Sequence, residues 1–183
     1  MSASRSAAIV ITGLPASGKS TLGRALADAL DWPFLDKDDF LEALYETHEV
    51  QDLKDRSKLS RQSDVLFQAA AEQHDQVVLV SHWASRSGTG SGTPTGWLRK
   101  RFTRLVEIHC TCAPDIAAAR FAARRRHPKH MDHLRPGRVM KQQMQAPSER
   151  LPLQLDDVVT VDTENPVDVN AILTSDQLIR VQS

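Results

Sequence analysis

The chemistry of this 183-residue chain is most legible between Thr12 and Thr21, in "TGLPASGKST". Gly13 to Ser20 fits the spacing G-x-x-x-x-G-K-[ST], behind the apolar run "AAIVI" and ahead of the helix-forming "STLGRALADAL". Gly13 and Gly18 permit backbone conformations that bulkier residues resist. The N–H groups of Ala16, Ser17, Gly18 and their neighbours through Thr21 can therefore converge on phosphate oxygens. A helix beginning near Lys19 adds its positive end. Lys19 is expected to reach β- and γ-phosphates, and the Ser20 hydroxyl to join a Mg²⁺ shell. Such a set predicts a bound nucleoside triphosphate.

The acceptor of the phosphoryl group must be sought elsewhere. A guanine-specific N-K-x-D element is missing from the sequence, as is an apolar run ending in D-E of the kind a motor ATPase carries. The run "QVVLVSHW" ends on Ser81 and His82, so an acid assisting magnesium has to come from another strand. "LDKDD" offers Asp36, Asp38 and Asp39. An alcohol attacking a γ-phosphoryl needs a place for its proton, and a carboxylate beside the phosphate loop provides one. Arg120 and Arg124 are four apart and share a helical face, so both can enter the ligand crevice while Arg125 and Arg126 turn away. His82 ends a buried strand facing that crevice. With Arg86 it is a candidate acceptor contact, and Trp97 and Arg99 are placed beside the same pocket. His127, His130 and His133 recur every three residues, yet with no cysteine nearby they are expected on a lid surface rather than around a metal. Cys110 and Cys112 suit neither a local disulfide nor a zinc pair and are expected to be structural.

These groups need a scaffold. Five apolar runs are expected strands: Ala7–Thr12, Pro33–Asp36, Gln76–Ser81, Arg104–Cys110 and Asp157–Asp162. The first, third and fifth are β-branched and nearly continuous, as in strands covered on both faces. Helical periodicity fills the gaps, with Leu22, Leu26 and Leu30 on one stripe of the first segment and Pro114–Asp115 opening the fourth. The others are "DFLEALYE", "LSRQSDVLFQAAAEQ" and "NPVDVNAILTSDQL". Strand and helix alternate throughout, which predicts an α/β fold of three layers (α/β/α) around a five-stranded parallel sheet, in one domain covering residues 1–183. Residues 1–6 are expected to be flexible and residues 127–137 to form a lid loop. Tyr45–Lys58 and Ser85–Gly96 are expected to shape the acceptor pocket.

Composition narrows the field. Net charge is zero, with 40% hydrophobic and 25% charged residues, which argues against bulk-charge binding to nucleic acid or an anionic membrane. The average hides a basic stretch, Arg120–Lys141, with eight Lys/Arg against one acid. No apolar run approaches the roughly 20 residues of a membrane helix. "MSASRSAAIVI" lacks the make-up of a secretory leader, so the expected location is cytoplasmic.

Together, "GLPASGKST", "FLDKDDFLEAL", "RFAARRRHP" and "VVTVDTENP" resemble the small P-loop kinases. The chain looks most like the predicted small-molecule kinases related to gluconate, shikimate and chloramphenicol kinases and to polynucleotide 5′-kinase. The resemblance implies ATP and Mg²⁺ as cofactors and a small hydroxyl-bearing molecule as acceptor. It implies Asp38 as base and Asp36 as a magnesium or substrate contact, while Asp39, of a residue type favoured at caps, is expected chiefly to cap the following helix. An arginine-rich lid would bring Arg120 or Arg124 onto the transferring phosphoryl or the adenine, and Thr163 and Asn165 would sit at the adenine turn. Two alternatives stand beside it: a polynucleotide 5′-hydroxyl kinase using the basic stretch, and a nucleotide-binding regulatory protein without acceptor chemistry.

Overall fold

In the computed structural model, residues 6–84, 92–134, 137–145 and 152–182 are described. Five strands form one sheet: β1 (Ala7–Gly13), β2 (Phe34–Asp36), β3 (Gln76–Val80), β4 (Arg104–Thr111) and β5 (Asp157–Asp162). Their order is β2-β3-β1-β4-β5, and every pairing is parallel. The helices are α1 (Lys19–Leu30), α2 (Lys37–Thr47), α3 (Leu53–Ala71), α4 (Leu98–Arg101), α5 (Pro114–Ala123), α6 (Gly137–Gln145), α7 (Val169–Leu173) and α8 (Asp176–Gln182). The predicted five-stranded parallel α/β architecture is the one observed.

The alternation of β1 explains the layering. Ile9 and Ile11 point to one face and pack with Leu26 of α1, Ile172 of α7 and Leu178 of α8. Ala8 and Val10 point to the other and pack with Phe67 of α3 and Leu98 of α4. A strand covered on both sides has to be apolar along its length, and β1 is so from Ala7 to Ile11. Helix α1 sits unusually close to the sheet. A Cβ on Gly23 would lie 2.7 Å from Val80 and 3.0 Å from Phe34.

Several boundaries differ from the sequence pattern. Helix α3 begins at Leu53 rather than Leu59, because the Asp52 carboxylate accepts from the N–H groups of Lys54 and Asp55, both at 2.8 Å. Most of Tyr45–Lys58 is thus helix, not loop. Helix α5 stops at Ala123 and Arg124 is extended (φ −71°, ψ 144°), since Pro128 disfavours helix in the residues just before it. The expected lid loop is partly ordered into 3-10 turns at Pro128–His130 and Asp132–Leu134, followed by α6. The last helical segment is divided into α7 and α8 around Thr174. Of the six N-terminal residues expected to be flexible, Ser6 is buried, and its hydroxyl donates to the Arg101 carbonyl at 3.0 Å.

One buried acid is unexpected. Glu107, in the middle of β4, is fully enclosed. Its carboxylate accepts from the Thr12 hydroxyl at 2.7 Å and from the Leu153 and Leu155 N–H groups at 2.7 and 3.3 Å. His109 Nδ1 lies 2.8 Å from the same Thr12 hydroxyl. A buried charge needs such a complete set of donors, and here they tie the segment entering β5 to the middle of the sheet.

Candidate functional site

Parallel strands deliver their C-terminal ends to one edge, and the crevice of such a sheet opens where the crossovers diverge. Here that edge, next to β1, holds a cavity of about 1280 Å³. The loop from Gly13 to Gly18 forms one wall. Gly13 (φ 130°) passes so near β4 that a Cβ would lie 2.3 Å from the Cys110 carbonyl oxygen, so only glycine fits. Ala16 (φ 61°) and Gly18 (φ 90°) are also left-handed, which turns the loop back on itself before α1 begins. Helix α1 has no side-chain cap and no acid in its first turn, leaving the N–H groups of Lys19, Ser20 and Thr21 open toward the cavity. The Ser17 hydroxyl is buried without a partner. Lys19 folds back, its ammonium donating to the carbonyls of Gly13 (3.0 Å) and Leu14 (2.7 Å), and burial lowers its pKa from the usual lysine value.

Ser20 and Asp36 meet across the cavity floor. The Ser20 hydroxyl donates to an Asp36 carboxylate oxygen at 2.5 Å. Burial pushes the Asp36 carboxyl above its usual range, with the neighbouring Asp38 charge acting in the same direction. The second oxygen of Asp36 accepts from the Asp38 N–H at 3.0 Å, which makes Asp36 the N-cap of α2. The cap role expected of Asp39 therefore belongs to Asp36, and Asp39 is exposed on the first turn. A serine hydroxyl and a carboxylate within hydrogen-bond distance form the hard-oxygen donor set that Mg²⁺ prefers, so these two residues fit a magnesium site. Among the described residues no cluster of three or more His, Cys, Asp or Glu is arranged to hold a metal by itself.

Asp38 lies one step further along and is engaged by the lid. The Arg126 guanidinium donates to its carboxylate. Burial alone would raise the Asp38 pKa, but Arg126 above all, with His130, Lys37 and Arg124, outweighs it and holds the carboxyl below its usual range. Arg126 was expected to turn away. Because α5 ends at Ala123 and Arg124 is extended, the chain carries it inward instead, where it also pairs with Asp132 at 3.6 Å. Arg125 is exposed, as expected. Arg124 lines the cavity, stacks 4.0 Å over the Phe121 ring and lies 3.5 Å from Asp132. Arg120 donates to the carbonyls of Thr163 (3.0 Å) and Glu164 (3.2 Å), so it fixes the turn after β5. Thr163 is itself held by the Thr111 carbonyl at 2.9 Å, and it lines the cavity with Asn165.

The lid is docked on α2. His130 Nε2 lies 2.8 Å from Glu42, His127 Nε2 lies 3.5 Å from Glu46, and Lys129 donates to the carbonyls of Tyr45 and His48. Tyr45 is sandwiched between the two histidine rings, each with its centroid 5.2 Å away. The histidine triplet thus serves docking at two of its three positions.

Of the residues expected at the acceptor, His82 lines the cavity. Arg86 lies outside the described residues. Trp97 belongs to the core, its indole N–H donating to the Pro94 carbonyl at 2.8 Å, and Arg99 pairs with Asp156 on the surface. Neither lines the pocket, which corrects the expectation from "GWLRK". In their place α3 presents Arg56, Ser57, Ser60, Arg61 and Asp64 to the cavity. Their spacing of one, three, one and three marks a single helical face, a signal present in the sequence but obscured by reading Tyr45–Lys58 as loop. Glu107 had a signal too, a lone acid inside an apolar strand with histidine two residues on. Cys110 is buried, with its thiol pushed up to about 12, and Cys112 is half-buried; both are free, which suits structural roles.

A glycine-turned phosphate loop opening into a helix, with a magnesium-type oxygen pair made by Ser20 of that helix and Asp36 at the end of β2, defines a P-loop nucleotide-binding protein. A family model described as an AAA domain matches residues 9–148, and the chain belongs to that family. Over 126 residues it is 27% identical to cytidylate kinase of Haloarcula marismortui, which covers 66% of this chain and 59% of that protein. A 37-residue stretch is 54% identical to shikimate kinase of Chlamydia pneumoniae, covering 20% of this chain and 21% of that one. The chain thus spans less than two thirds of the length of either curated relative in these matches. The solved structure of a provisionally named kinase from Chloroflexus aurantiacus J-10-fl matches with a TM-score of 0.78 at 27% identity, covering 96% of this chain and 97% of that one. The resemblance to the small P-loop kinase group, read from four short motifs, holds at the level of family and fold.

Proposed function

We propose that this protein is an ATP- and Mg²⁺-dependent phosphotransferase that passes the γ-phosphoryl group to a hydroxyl of a small polar molecule. One observation carries the proposal: a carboxylate, Asp38, shares a cavity with the phosphate loop and stands next to the Ser20–Asp36 oxygen pair. Mg²⁺ held by Ser20 and Asp36 would neutralise charge on the β- and γ-phosphates. Lys19 exchanges the Gly13 and Leu14 carbonyls for phosphate oxygens. The acceptor oxygen forms its bond to the γ-phosphorus as the bond to the β–γ bridging oxygen breaks, and the acceptor proton passes to Asp38. Arg126, now on Asp38, is the cation nearest to exchange a carboxylate for the developing phosphoryl charge.

The likeness to a cytidylate kinase raises a second reading, in which the acceptor oxygen belongs to a phosphate. Such an acceptor brings no hydroxyl proton to remove and would meet the negative charge of Asp38, so the carboxylate favours an alcohol. The basic stretch gives little support to a nucleic-acid acceptor, because Arg120, Arg124, Arg126 and Lys129 all turn inward to carbonyls or acids. ADP release measured with ATP, Mg²⁺ and a panel of polyols, sugars and nucleoside monophosphates tests the proposal. Acceptor-dependent ADP release with an alcohol supports it. Conversion of nucleoside monophosphates to diphosphates, with no alcohol phosphorylated, would replace it with the second reading.

A further inference from the structure

The inner face of the lid holds a buried histidine with only one of its two ring nitrogens matched. His130 is 1% exposed, and its Nε2 lies 2.8 Å from a Glu42 carboxylate oxygen of α2. Facing a carboxylate, Nε2 carries the proton and donates it. Nδ1 is enclosed with no hydrogen-bond partner among the described residues. A second proton would put a charged N–H at Nδ1 with nothing to accept it, a far greater cost than an idle lone pair. The docked site therefore takes the neutral ring. Enclosure and the Arg126 guanidinium both lower the His130 pKa, and together they outweigh Glu42 and Asp38, which favour the cation.

The other charged groups around this contact have partners of their own. Arg126 sits on Asp38 and Asp132, and Lys129 donates to the Tyr45 and His48 carbonyls. From α3, Arg56 acts on the Tyr45 phenol. His127 faces Glu46 at 3.5 Å from the far side of Tyr45, where a proton would strengthen the contact. The two histidines thus respond to pH in opposite senses. We propose that His130 is a positioning residue: as the neutral ring it latches the lid on α2 and keeps Arg126 on Asp38, and protonation releases both. In an undocked lid the ring meets water and titrates near the ordinary histidine value of about 6.5. Docking at a lowered value expels a proton, so the latch is strongest above that pH and weakens by up to about tenfold per unit below it. The latch belongs to the resting protein and stands whether or not the cavity transfers a phosphoryl group.

Hydrogen exchange of the full-length protein, followed by mass spectrometry and corrected for the intrinsic rate, reads the latch directly. The N–H groups of His130, Met131 and Leu134 bond carbonyls within the lid and report its order. Their protection should fall by about tenfold between about pH 6.5 and about pH 5.5, relative to the amides of β1 and β4. In His130→Gln, a neutral side chain that keeps a donor toward Glu42, that fall should disappear. His127→Gln should leave it in place, and circular dichroism checks that both variants fold. If His130→Gln does not fold, the ring proton resonance of His130 in the wild-type protein decides: it should titrate below about 6.5. Titration at or above that value would overturn the proposal. So would lid protection that is constant with pH, or an equal fall in folded His130→Gln.

Discussion

Asp38 and Arg126 form the contact on which the proposed chemistry turns. A carboxylate paired with a guanidinium is held ionised but is a weak base, so the pair must loosen when acceptor and nucleotide arrive. Asp38→Asn keeps the shape and removes the proton acceptor; transfer should fall by about 10²–10⁴-fold in an ADP-release assay. Arg126→Gln removes the foremost charge that lowers the Asp38 pKa. The folded carboxyl then titrates higher, so the acid limb of the rate profile should move to higher pH, alongside a lower maximal rate. An unshifted acid limb would mean that Asp38 is not the group titrating there. The stability that this pair contributes has the opposite dependence to that of a raised histidine. It is complete above the unfolded carboxyl pKa near 4 and is lost as the pH falls through the lower folded value.

At the scale of the element, the tight seat of α1 and the anchoring of β4 make separate predictions. Gly23→Ala gains about 1 kcal/mol of helix propensity but drives a methyl group into Val80 and Phe34, at a cost of about 1–3 kcal/mol. Denaturant unfolding should show a net loss, whereas a net gain would show that α1 can back away from the sheet. Glu107→Leu strands the Leu153 and Leu155 N–H groups and leaves the Thr12 hydroxyl with His109 alone. It should destabilise by at least about 2 kcal/mol and more than Glu107→Gln, which keeps one acceptor oxygen. The elements themselves were largely legible. The five apolar runs became the five strands, and "GLPASGKS" became the loop its glycines require. What stayed hidden depends on distance along the chain: nothing near Asp38 announces Arg126, 88 residues away. Local periodicity could not show that Pro128 would end α5 early enough to turn that arginine inward, nor that Asp52 would start α3 at Leu53.

The whole molecule gathers side chains from distant parts of the chain around one cavity. Phosphate loop, metal-type oxygens and lid come from β1, β2 and the α5–α6 connection, and α3 lines the cavity as well. Among the described residues no helix is long and apolar enough to cross a membrane. If the cavity takes ATP and Mg²⁺ as proposed, ligand at a hundred times its Kd should stabilise the fold by about 2.7 kcal/mol, seen as a higher Tm that Lys19→Ala diminishes. The central claim is transfer to an alcohol, and phosphorus NMR of the products tests it most directly. With ATP, Mg²⁺ and a panel of small polar alcohols, the wild-type protein should form a new phosphate monoester together with ADP, and Asp38→Asn should form neither at a comparable rate. Inorganic phosphate as the sole product with every acceptor, at the same rate in both proteins, would contradict it.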